Sequence, residues 1–201
     1  ELALLEQSGV SEQELVASLE AAEVRLRWKS AELTKVRARG AQEFGESVTK
    51  HVRQLAMEKA EFEVRVAPKP VQPDGADHVE FYFSANPGEP QRSLAKVASG
   101  GEISRLMLAT KLASAGRAGV PSLVFDEVDT GLSGRAAAVT AKMLQQLAKH
   151  CQVLVISHLP QIAGRATTHF RIEKGERGGR SFTDVVELGD EDRVLEVARM
   201  L

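Results

Sequence analysis

The 201-residue chain holds a single cysteine, Cys151, which excludes an internal disulfide and leaves no thiol cluster for a metal. That residue lies where a helix hands over to the apolar run 153–156, so a buried structural thiol is expected. Aromatic residues are only 4%, and the core has to come from Leu, Val, Ile and Ala. Charge of one sign is missing too. The net −2 gives no global pull toward nucleic acid, and any such contact has to be a local patch. No run approaches the roughly 18 apolar residues of a membrane span and no signal peptide is visible, so the expected compartment is the cytoplasm, with no membrane partner. Also absent is G-x-x-x-x-G-K-[ST], the glycine-rich loop that cradles nucleotide phosphates. The chain opens at Glu1 in mid-pattern, as expected of a piece of something longer.

What is there reads as globular: 43% apolar and 27% charged residues, enough for one domain with an appendage. Residues 11–60 read as helix, because Leu15, Leu19, Ala22, Leu26, Leu33 and Val36 keep mostly three- and four-residue spacing between charged residues. Ser11 with Glu14 is a capping-box signature, which makes Ser8-Gly9-Val10 a break. So narrow a stripe calls for one partner helix, as in a coiled-coil arm. Gly40 and Gly45 weaken the helix and mark where an arm enters a body, with Phe44, Val48, Val52, Leu55 and Met57 packing there.

From residue 61 the period changes to two. Phe62, Val64 and Val66 predict a half-buried strand, Pro68 to Gly75 a loop, and 79–85 a second strand ending at the Asn86-Pro87-Gly88 turn. An apolar helix over 101–115 follows. Strands at 122–126 and 152–157 flank a helix at 134–150, which is a βαβ unit with buried parallel strands. A short helix after Pro160, strands at 168–174 and 181–187, and a helix over 190–201 complete the chain. Gly175-Glu176-Arg177-Gly178-Gly179-Arg180 looks phosphate-friendly, but lies between two strands and reads as a hairpin turn.

Ligands of open α/β sheets sit at the C-terminal strand ends. Asp126-Glu127 and Ser157-His158 fall at two such ends. Asp126 suits Mg²⁺ held through water, and Glu127 suits a general base that orients an attacking water. A solvated acidic strand end is the ordinary alternative. In Ala98-Ser99-Gly100-Gly101-Glu102, two glycines admit a phosphate to a helix N-terminus, and Ser99 can donate its hydroxyl to it. Plain N-capping, with Glu102 closing a capping box, is compatible with that. His158 is placed to sense a terminal phosphate. Asp129, in Asp129-Thr130-Gly131, lies in a loop that also reads as a simple turn.

Taken in order, these motifs resemble the signature loop, Walker B strand and switch histidine of the ABC-type ATPases. The fold class is therefore α/β. Three runs, Phe81-Tyr82-Phe83-Ser84-Ala85-Asn86-Pro87-Gly88-Glu89-Pro90, Leu94-Ala95-Lys96-Val97-Ala98-Ser99-Gly100-Gly101-Glu102-Ile103-Ser104-Arg105-Leu106 and Ile156-Ser157-His158-Leu159-Pro160-Gln161-Ile162-Ala163, resemble the C-terminal head half of the SMC-like ATPases, in their bacterial DNA-repair branch. The likeness covers roughly 60–201 by motif and 1–60 only in kind, as a returning arm. It implies an arm at 1–60 and a head lobe at 61–201, with a parallel βαβ core and added antiparallel strands.

The same likeness implies ATP and Mg²⁺ as ligands and an N-terminal P-loop lobe of the same protein as partner. It also implies a second head engaged through ATP, and double-stranded DNA. Asp126, Glu127 and His158 then serve their own head's ATP. Ser99, Gly100, Gly101 and Glu102 serve the partner's, and Asp129 lies in the loop that crosses between the sites. A basic stretch, Arg25, Arg27, Lys29, Lys35, Arg37 and Arg39 against Glu32, is the candidate for phosphate contact, with a solvated helix face as the alternative. Two other functions stay open: an ABC subunit of a transporter, and a head-pairing module that does not hydrolyse ATP. The arm and the missing P-loop weigh against the first, and Glu127 against the second.

Overall fold

The computed structural model describes residues 12–86, 88–96, 99–115, 119–132, 134–177 and 180–201. The expected break at Ser8-Gly9-Val10 and the Ser11 cap lie outside them, as do Pro87, Val97, Ala98, Ser133, Gly178 and Gly179. The chain divides into two compact units, one of Glu1–Glu43 with Val64–Glu80, the other of Phe44–Glu63 with Phe81–Leu201.

The first unit is built on α1, Glu12–Val52, a 41-residue helix that continues into the second unit. It runs unbroken through Gly40 and Gly45 and ends at Val52, short of the expected residue 60. Its last turn tightens as the Leu55 N–H reaches the Val52 carbonyl, and Ala56 then enters the left-handed region at φ 59°. The stripe residues Leu15, Leu19 and Leu26 are 60%, 61% and 52% exposed, so the apolar pattern has no cover among the described residues.

Strands β1, Glu61–Gln72, and β2, Gly75–Ser84, form a hairpin with the two-residue β3, Arg92–Ser93, in the order β1-β2-β3. The loop expected from Pro68 is instead strand. A proline removes a ladder donor but is tolerated on an edge, and β1 is an edge. Within the first unit the hairpin grips α1. Buried Asp77 accepts from the Thr34 hydroxyl at 2.7 Å and from Arg37 Nη1 at 3.0 Å, and Arg37 Nη2 reaches the Asp74 carbonyl at 2.6 Å. Gly75, at φ 108°, fits because a Cβ there would sit 2.8 Å from Leu33 Cδ2 and from Arg37 Nη1.

In the second unit the end of α1 packs as expected. Val48, Val52 and Leu55 are fully buried, and Phe44, Phe62 and Phe81 pack edge-to-face or tilted with centroids 5.6 to 6.2 Å apart. Helix α2, Gly100–Ala113, packs on α3, Gly134–Leu147. Strand β4, Ser122–Phe125, pairs in parallel with β5, Gln152–Val155, and α3 lies between them in sequence. The short α4, Pro160–Ala163, leads to the antiparallel hairpin of β6, Phe170–Arg177, and β7, Arg180–Glu187, and then to α5, Asp190–Met200. Of the decoy run, Gly175 lies in β6 opposite Phe182, and Arg177 pairs with Arg180.

One expectation fails. Both parallel strands read as buried, yet Val124 is 67% and Leu154 47% exposed, while Phe125 is buried and its alternates Leu123, Val153 and Val155 are half-buried. Side chains alternate across a strand, and the described residues cover one face of this pair only. Cys151 is likewise half-buried rather than buried, its thiol 3.7 Å from the Leu147 carbonyl.

Candidate active site

The β4–β5 register decides what meets at the strand ends. Phe125 pairs with Val155, and the Ile156 N–H reaches the Phe125 carbonyl at 2.9 Å. Asp126-Glu127 and Ser157-His158 therefore leave the sheet side by side. Past β4 the chain turns sharply. Glu127 is left-handed at φ 57°, a conformation that costs a residue with a Cβ on the order of 1 kcal/mol, and its N–H is taken by Asp126 Oδ1 at 2.9 Å. Thr130 N–H closes the turn on the Glu127 carbonyl at 3.1 Å.

The α2 N-terminus abuts this turn. A Cβ on Gly100 would collide with the Glu127 carboxylate. One on Gly101 would lie 3.1 Å from Thr130 Cβ, 3.2 Å from Arg105 Nη1 and 3.4 Å from the Glu127 carbonyl. The two glycines thus let the α2 N-terminus lie close against this turn. Ser99 occupies the N-cap position, but its side chain makes no capping bond, so the capping box does not form. Glu102 is half-buried in the first turn of α2.

Asp129 is 3% exposed and engaged through one carboxylate oxygen. Its Oδ2 accepts from the Ser157 hydroxyl at 2.6 Å and from the His158 N–H at 3.0 Å, and lies 3.2 Å from His158 Nδ1. Buried carboxylates need such donors. With Nδ1 turned to the carboxylate and the side chain 76% exposed, the Nε2 edge of His158 is the free one. The Leu159 N–H returns to Ser157 Oγ at 3.1 Å.

Two residues here had been given no role from sequence. Ser104 Oγ donates to the Asp126 carbonyl at 2.6 Å, and Arg105 Nη1 donates to the Thr130 carbonyl at 2.7 Å. The available signal was an arginine directly before the apolar run 106–109. Burial pushes the Arg105 guanidinium below its usual pKa, with the Glu102 charge opposing.

The basic stretch lies on α1 in the other unit. Arg37 is bound to Asp77 and Asp74, Lys35 pairs with Glu32 at 2.8 Å, and Arg27 approaches Glu23 at 3.8 Å. Arg39 is 4.0 Å from Glu43, and Lys29 lies over the Trp28 ring at 4.8 Å. Helix neighbours outside the stretch thus supply acids that the count of one, Glu32, overlooked. Among the described residues no three His, Cys, Asp or Glu side chains are grouped to hold a metal. A divalent ion held through water by Asp126 alone fits that donor set, because Mg²⁺ keeps most of its waters. No helix of the described residues is long and apolar enough to cross a membrane.

No family model matches the chain. It is 50% identical over 193 residues to the DNA repair protein RecN of Halalkalibacterium halodurans, covering 94% of this chain and 34% of that protein. It is 38% identical over 203 residues to RecN of Haemophilus influenzae, covering 100% and 36%. The chain thus spans about a third of the length of the curated relatives it matches. In fold it is similar to an Smc head domain with a coiled coil and joint from Pyrococcus yayanosii, at TM-score 0.66 and 20% identity, over 93% of this chain and 34% of that one. An Smc head with an extended coiled coil from Pyrococcus furiosus, bound to the C-terminal domain of ScpA, aligns at TM-score 0.60 and 20% identity, over 93% and 45%.

Proposed function

This sequence belongs to the RecN family of DNA repair proteins, as a segment with the fold of an SMC head, and from that premise we propose that it supplies half of an ATPase head. The arm is residues 1–60 and the lobe 61–201. An N-terminal lobe of the same protein brings the P-loop, and ATP draws two such heads together in the bacterial cytoplasm. Hydrolysis then releases them, in step with holding or joining double-stranded DNA.

One observation carries this reading: Glu127, Gly100 and the Asp129–His158 pair gather at the C-terminal end of a parallel strand pair that lies open on one apolar face. In that setting Glu127 orients and deprotonates water, and Nε2 of His158 meets the terminal phosphate. Asp126, its Oδ1 engaged by Glu127 N–H, would hold Mg²⁺ through water, and the bound ion would supply positive charge beside the phosphates. Ser99, with no cap to make, presents its hydroxyl to the partner head's nucleotide, beside Gly100, Gly101 and Glu102. For DNA phosphate, the exposed members of the basic stretch are Arg25, Arg27, Lys29, Lys35 and Arg39, since Arg37 is held by Asp77. Replacing the six basic residues with alanine and finding unchanged DNA binding by the whole protein would remove the arm from the interface.

The deciding experiment is ATP hydrolysis by the full-length protein, wild type against Glu127→Gln, with and without linear double-stranded DNA. Turnover should fall about a hundredfold or more while ATP binding persists. Ser99→Arg should spare binding and block head engagement. The isolated lobe should bind ATP weakly and turn none over. Micromolar affinity by equilibrium dialysis would contradict the half-site. A folded full-length protein without turnover would favour a non-hydrolysing head-pairing module.

A further inference from the structure

Arg105 is 8% exposed on α2, and among the described residues its guanidinium makes one hydrogen bond, to the Thr130 carbonyl at 2.7 Å. Its Nε has no hydrogen-bond partner among the described residues. A cation so buried is costly, and an apolar residue would fill the volume at less expense. Its position gives a reason for it. Thr130 follows Asp129, whose carboxylate takes the Ser157 hydroxyl and both the N–H and Nδ1 of His158. Arg105 Nη1 also lies 3.2 Å from where a Gly101 Cβ would stand, so the guanidinium packs directly against that glycine. An unbroken line of contacts runs from the helix bearing Gly100 and Gly101, through Arg105 and Thr130, to Asp129 and His158.

We infer that Arg105 is a positioning residue for hydrolysis, clamping the turn 127–130 to α2 so that Glu127 and His158 keep fixed places relative to Gly100 and Gly101. The inference rests on the ATPase reading above. Arg105 touches no reacting atom and acts through the turn. Losing the clamp therefore affects turnover more than nucleotide affinity, because misplacing a reacting group by about 1 Å costs up to a hundredfold in rate.

The test uses the full-length protein: steady-state hydrolysis for wild type, Glu127→Gln, Arg105→Met and Arg105→Lys, with amide exchange followed across residues 127–132. Arg105→Met should lower kcat by roughly tenfold to a hundredfold, hold KM within about threefold and speed exchange in that segment. Arg105→Lys, whose ammonium still reaches for the carbonyl, should recover most of the loss. Wild-type kcat in folded Arg105→Met overturns the inference. So does a loss that KM shares, or one that lysine does not relieve. If Arg105→Met fails to fold, Arg105→Gln is read by the same criteria. Equal turnover in wild type and Glu127→Gln sinks the ATPase reading instead, whatever Arg105 does.

Discussion

Each unit is organised around one buried aspartate, and the two are treated differently. Asp77, 5% exposed, meets a full positive charge on Arg37 and the Thr34 hydroxyl, both on the helix it grips. Asp129, 3% exposed, meets a hydroxyl, an amide and an imidazole whose far edge faces solvent. The carboxylate bound to a guanidinium fastens a hairpin to a helix. The one bound to a hydroxyl and an amide lies against an exposed imidazole that it can orient toward a ligand. Burial alone therefore does not mark a functional carboxylate; the nature of its partners does.

Substitution at the two positions should separate these roles. Asp129→Asn keeps the size but exchanges an acceptor oxygen for a donor facing Ser157 and His158. In the full-length protein it should cut kcat by roughly tenfold to a hundredfold, with amide exchange over residues 64–80 unchanged. The matching Asp77→Asn should do the reverse, loosening the hairpin from α1 with turnover nearly intact, read by amide exchange over residues 64–80. Equal losses of activity from both substitutions would erase the distinction.

Acid should expose the same contrast. The Thr34 hydroxyl, then Arg37, hold the Asp77 carboxyl below its ordinary pKa against the opposing effect of desolvation. A carboxylate depressed in the fold adds stability that is present above its unfolded value, about 3.9, and lost as pH falls through the lower folded value. Unfolding followed between pH 5 and 2 should show this loss in wild type and a flatter profile in Asp77→Asn. The smallest effect belongs to Ser157→Ala, which removes one of the two hydrogen bonds to Asp129 and should cost about 1 kcal/mol in chemical denaturation.

The αβ order was legible because its signals are local. Apolar runs at 122–125 and 152–155, turn residues between elements and a helical stripe in α1 each report on neighbours a few residues away. The edge strand through Pro68 and Pro70 was missed for the complementary reason: proline excludes a central strand only, and nothing local says which strand is an edge. Cover on one face of β4 and β5 is also a property of what lies beside the sheet, and an apolar strand looks the same whether one face or two are covered by the chain in hand.

By itself the sequence determined the motif set, its order, and the absence of a P-loop to complete it. Residue type and spacing are enough to place an acidic pair after an apolar strand and two glycines before a helix. Tertiary structure alone decided that Gly100 and Gly101 lie against the turn 127–130, that Asp129 faces inward to hold His158, and that Arg105 bonds to Thr130. These contacts join residues 20 to 30 positions apart, across strand ends whose register is fixed by pairing rather than by any one segment. The chemistry of each group was written locally, and its neighbours were set by how the sheet aligned.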